Sequence, residues 1–86
     1  MKVYMKINKY NNYKNISGSI LRELRTNNGL SQQNLAEKLQ LMGVELTSKE
    51  ISKIENDKRL VQDFELFAFA RTFGVSADVF GEKVMI

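Results

Sequence analysis

The chain has 86 residues, a formal net charge of +3, and neither Cys nor His, a length that supports one domain around one modest core. Without Cys and His there is no disulfide framework, no thiol or Ser-His nucleophile, and none of the usual zinc sites. No apolar run approaches bilayer length and no signal-peptide core follows Lys2, so the expected location is the cytoplasm.

Residues 1–15 carry Lys2, Lys6, Lys9 and Lys14 with no acid among them, interleaved with Asn, Tyr4, Tyr10 and Tyr13, while the rest of the chain is close to neutral. This reads as a basic flexible arm, with a short strand over 3–7 as an option. Each lysine that neutralises a phosphate releases a counterion, so such an arm suits a polyanionic partner. A solvated tail with no partner has the same composition.

From residue 17 to 27, Ile20, Leu21 and Leu24 recur at helical spacing, and Asn28-Gly29 supplies a stop. Ser31 can cap a second helix whose stripe is Leu35, Ala36 and Leu39 and which runs to Met42, with Gly43 ending it. Thr47 and Glu50 have the spacing of a capping box, so a third helix starts there, with Ile51 and Ile54 buried and Ser48, Lys49, Ser52 and Lys53 on the opposite face. After the polar loop at 56–59, Asp63 opens a fourth helix that directs Phe64, Phe67, Ala68 and Phe73 to the core and ends at Gly74. Ser76 caps a short fifth helix through Phe80, and 82–86 form an apolar-tipped tail. The domain proper is therefore expected over 16–81, with an all-α, five-helix core.

Several segments in this order go beyond "small helical domain". They are Ile20-Leu21-Arg22-Glu23-Leu24-Arg25, then Gly29-Leu30-Ser31-Gln32 with Leu35-Ala36 and Leu39, then Ile51-Ser52-Lys53-Ile54-Glu55-Asn56 with Lys58-Arg59, and Phe73-Gly74-Val75-Ser76. On these segments residues 20–81 resemble the Xre or Cro/cI-type phage-repressor family of helix-turn-helix domains. The resemblance implies a compact lambda-repressor-like DNA-binding domain in which helices two and three form the reading unit and helix three enters the major groove. Base contacts then fall to Ser48, Lys49, Ser52 and Lys53, and contacts with the phosphate backbone to Gln32, Asn56, Lys58 and Arg59, with Arg59 the strongest because a guanidinium can fork onto phosphate oxygens. For the same residues the alternative is the solvated face of an amphipathic helix and a polar turn. The resemblance further implies a structural ion pair between Arg25 and Glu55. Two departures from the pattern stand out. The connection at 40–46 is longer than the shortest form, with Leu41, Val44 and Leu46 expected to fold back on the core, and Asp57 stands where Gly is common.

The function implied is a sequence-specific, double-stranded DNA-binding regulator of transcription, a repressor foremost, bound as a homodimer to a palindromic operator and needing no cofactor or metal. Val79, Phe80, Val84, Met85 and Ile86 are candidates for the dimer surface, with core packing and a frayed end as their alternative. A protein-interaction module on the same fold, such as an antitoxin or antirepressor, is the competing function. Catalysis is not expected, since Glu37, Glu50, Glu65 and Asp78 stand singly on expected exposed faces and no Gly-rich phosphate cradle is present.

Overall fold

The computed structural model describes residues 12–82; the arm up to residue 11, with the optional strand at 3–7, and residues 83–86 lie outside the described part. The described residues form four α-helices, α1 (Gly18–Asn27), α2 (Gln32–Gln40), α3 (Ser48–Glu55) and α4 (Asp63–Phe73), followed by a 3-10 helix (Ala77–Gly81). The all-α class holds. The fifth element is a 3-10 helix rather than an α-helix, because a segment this short closes few i to i+4 bonds and the tighter turn satisfies its ends. Ser76 caps it by accepting a hydrogen bond from the Asp78 amide at 3.3 Å.

Leu21, Leu35, Leu39, Ile51, Ile54, Phe69 and Phe80 are fully buried and form the centre of the core. Around it α2 packs on α3, α1 on α3, and α4 on the 3-10 helix and α2. Phe69 and Phe80 meet as a tilted pair with ring centroids 6.1 Å apart, a geometry that aromatic quadrupoles favour. Gly18 lies at the closest approach of α1 to α3, where a Cβ would overlap the Ile54 carbonyl oxygen. Only glycine lets the two helices come this close.

Each start signal in the α2–α3 unit acts locally. The Ser31 hydroxyl accepts from the Asn34 amide at 2.9 Å, and the Ser31 amide donates to Asn34 Oδ1 at 3.2 Å. Thr47 and Glu50 form the reciprocal box, with the Thr47 amide 2.9 Å from Glu50 Oε1 and the Glu50 amide 3.1 Å from Thr47 Oγ1. Helix α2 stops at Gln40, two residues short of the expected Met42, and Gly43 adopts φ +81 while the Val44 amide returns to the Leu39 carbonyl at 3.0 Å. That left-handed turn satisfies α2's last carbonyls and swings Val44 and Leu46 into the core, 8% and 5% exposed. Leu41, expected to fold back with them, is instead 89% exposed, because it is the residue that caps α2 before the turn reverses the chain.

The rotation of α4 also differs from expectation. Phe64 and Phe67, assigned to the core, are 57% and 62% exposed, whereas Glu65, Ala68, Phe69 and Ala70 are buried. Apolar residues lie almost all round this helix, so its periodicity does not choose a face. The choice is made by Phe69 packing on Phe80 and by Glu65 meeting Arg59 inside. Glu65 is thus buried and paired, not the exposed carboxylate its position suggested.

Candidate nucleic-acid interface

Helix α3 is anchored by Ile51 and Ile54, both fully buried, and by Glu55. A turn of 100° per residue then brings Ser48, Lys49, Ser52 and Lys53 onto one face on the opposite side. Lys49 and Lys53 are exposed, and Ser48 and Ser52 are half-buried beside them. Neither ammonium has a hydrogen-bond or ion-pair partner among the described residues. Glu50, one residue on, turns its carboxylate to the Thr47 cap, and the charges of Arg59 and Lys53 act on it only after the hydrogen bonds of that cap. The Thr47 backbone amide, ahead of the Thr47 hydroxyl, holds it below the usual carboxylate range.

Glu55 organises the far end of α3. Its carboxylate has no exposed surface and receives Arg25 Nε at 2.7 Å and Arg25 Nη2 at 3.0 Å, Gln32 Nε2 at 3.1 Å and, more loosely, Arg22 Nε at 3.4 Å. Burial pushes the Glu55 carboxyl up, but the hydrogen bonds from Arg25 and Gln32 together with the Arg25 charge outweigh it, so its pKa lies below the ordinary value. Arg25 is raised in turn by its bond to Glu55, and its remaining Nη1 donates to the Leu30 carbonyl at 2.9 Å. One carboxylate thus joins α1, the start of α2 and the end of α3. Every polar atom of this buried cluster is paired, as burial requires.

The exit loop of α3 is tied to the segment preceding α1. Asp57 sits at φ +61, the left-handed conformation that Gly adopts at no cost and Asp tolerates. Its Oδ1 accepts the Lys14 amide at 2.7 Å and the Asn15 amide at 3.1 Å. Asn15 completes the clasp: Nδ2 donates to the Ile54 and Arg59 carbonyls at 3.0 and 2.8 Å, and Oδ1 accepts the Gly18 amide at 2.7 Å. Lys14 and Asn15, the last residues of the segment expected to be a flexible arm, are therefore held against the body. Asp57 has a role at this position that Gly could not fill.

A comparison with family models matches residues 21–80 to the helix-turn-helix family, of the Xre/Cro type. The chain belongs to that helix-turn-helix family. Comparison with curated proteins and with solved structures found no match. Within the matched residues, α2 and α3 are joined by the long connection at 41–47.

The eight residues expected to meet DNA divide into two groups. Ser48, Lys49, Ser52, Lys53 and Lys58 are presented outward, or half so for the serines, and the Lys58 amide returns to the Lys53 carbonyl at 2.7 Å. Gln32, Asn56 and Arg59 have internal partners. Gln32 donates to Glu55, and Asn56 Nδ2 donates to the Ser52 carbonyl at 2.8 Å while its Oδ1 accepts Arg22 Nη2 at 2.9 Å. Arg59 forks onto a carboxylate rather than outward, with Nη1 2.9 Å from Glu65 Oε1 and Nη2 3.0 Å from Glu65 Oε2. Its bond to Glu65 raises its pKa. The guanidinium edge is thus the partner of a buried acid. Arg22, not singled out from sequence, is half-exposed beside Asn56 and Glu55. The signal was its position three residues before Arg25 on the same side of α1.

The candidate dimer surface divides in two. Phe80 is 1% exposed and takes the core-packing alternative, while Val79 is partly buried against that core. Val84, Met85 and Ile86 lie outside the described residues.

Proposed function

We propose that this helix-turn-helix protein is a sequence-specific regulator of transcription, a repressor acting in the cytoplasm, that binds a palindromic operator as a homodimer. The observation that carries the proposal is the outward face of α3. Two serines and two unpaired lysines share it, on a helix whose other side is locked by Ile51, Ile54 and the Glu55 cluster. Lysine donates to guanine O6 and N7, and serine serves as donor or acceptor at base edges. A rigid helix presenting these groups loses little entropy on entering the major groove. Lys58, exposed just beyond α3, extends the basic surface and supplies a phosphate contact. The short reading face is the reason for a dimer: one such face spans few base pairs, and two half-sites multiply affinity.

A second reading is favoured by one observation, the two half-exposed phenylalanines on α4. In that reading the domain is a protein-interaction module, an antitoxin or antirepressor, whose main partner is another protein.

Selection of the purified protein on random duplex DNA tests the first reading directly. Enrichment of an inverted repeat, with affinity that falls steeply as salt rises, is the expected result. Absence of enrichment transfers the function to the protein-interaction reading.

A further inference from the structure

We infer that the exposed stripe of α4 is the contact between two copies of this chain, packed as antiparallel helices about a twofold axis at Phe67. At 100° per residue, Asp63, Phe64, Phe67 and Arg71 fall within one arc of about 100° of the helix, and all four are exposed. Phenylalanines this open to water on a domain of this size are an unfavourable exposure that a partner removes.

The charges on the stripe point to a second copy as that partner. Asp63 lies four residues before Phe67 and Arg71 four residues after it, and neither takes part in an ion pair among the described residues. A twofold axis at Phe67 inverts the helix onto itself. Asp63 of each copy then faces Arg71 of the other, about 6 Å along the axis on either side of a central pair of Phe67 rings. The surface is self-complementary only in the antiparallel sense, since a parallel pairing would set Asp63 against Asp63 and Arg71 against Arg71. Phe64 fills the space between the central rings and each ion pair. None of these four residues belongs to α3, so the reading face stays free in the dimer.

The inference rests on the dimeric reading above for its consequence on DNA, but its test does not need DNA. The full chain is examined by sedimentation equilibrium. A concentration-dependent dimer is expected, and Phe67→Asp, which sets two carboxylates against each other on the axis, dissociates it while leaving the helical circular dichroism unchanged. Asp63→Arg and Arg71→Asp each weaken self-association by about tenfold, since both symmetry-related pairs become repulsive. Mixing the two variants restores a heterodimer with a dissociation constant within about threefold of the wild type, because every facing pair is again opposite in sign. A wild-type chain that stays monomeric to about 500 µM, a dimer indifferent to Phe67→Asp, or a mixture that fails to recover overturns the inference. So does a dimer that is lost when only residues 83–86 are removed and that ignores the α4 substitutions, which assigns the contact to the tail. A dimer with these properties that enriches no DNA leaves this contact standing and removes the regulator reading. Enrichment of a single half-site by a monomer does the reverse.

Discussion

Glu55 shows how a single residue unites the domain. Its carboxylate is removed from water and held by Arg25, Gln32 and Arg22, so removing one partner leaves a buried charge poorly compensated. Arg25→Ala is expected to cost on the order of 3 kcal/mol, read as a lower urea midpoint. The pH dependence follows from the direction of the Glu55 shift. Its folded pKa lies below the ordinary 4.5, so the stabilisation is fully present above that value and is lost as pH falls through the lowered folded pKa. Urea midpoints between pH 7 and about pH 3 check the sign: the wild type should lose stability over the acid end, and Glu55→Gln should flatten that part of the profile. Arg59 and Lys58 separate at the same scale. Arg59→Ala should lower the melting temperature by uncovering the buried Glu65 carboxylate, with little change in the salt dependence of DNA binding. Lys58→Ala should leave stability intact and reduce the salt slope by about one, while Lys49→Ala should change which sequences are preferred. Equal effects of Arg59→Ala and Lys58→Ala on the salt slope would contradict the inward placement of Arg59.

Among the elements, the α2–α3 connection and α4 are where the structure departs from local expectation. The connection is longer than the shortest form of the motif, yet it does not loosen α3. Gly43 reverses the chain, Val44 and Leu46 insert into the core, and the Thr47–Glu50 box starts the next helix. Leu46→Ala should therefore cost about 2–4 kcal/mol, the range for removing a buried leucine side chain. Leu41→Ala, at a residue almost wholly in water, should stay within about 0.5 kcal/mol. Similar losses at both positions in urea unfolding would show that the connection packs otherwise. The helix starts were legible from sequence at this scale because capping is local chemistry: Ser31, Thr47 and Ser76 meet amides within three residues of themselves. The rotation of α4 was not legible. A helix with phenylalanines on several sides carries no periodic preference strong enough to select Phe69 over Phe64 and Phe67.

In the whole molecule, the clasp of Asn15 and Asp57 and the Glu55 cluster converge on the end of α3 from opposite sides. Helix α3 is thereby fixed at its start by a cap, along its length by two isoleucines and at its end by two polar networks. In the function proposed above it would meet DNA as a rigid body. The antiparallel α4 contact would place two of these rigid faces in one twofold assembly.

The sequence by itself determined the helical class, the helix starts, the apolar stripes of α1 to α3 and the membership of the family, since each follows from spacing within a few residues or from the order of short segments. The outward face of α3 was legible for the same reason, because Ile51 and Ile54 leave only one side for Ser48, Lys49, Ser52 and Lys53. Only the tertiary structure decided which polar side chains are consumed inside. Arg59 looked free until Glu65 turned inward beneath it, Asp57 looked like a departure until Lys14 and Asn15 reached it, and Phe80 stood open between dimer surface and core until it met Phe69. Partners six to more than forty residues apart are set by packing of the whole core, and local periodicity has no access to distances on that scale.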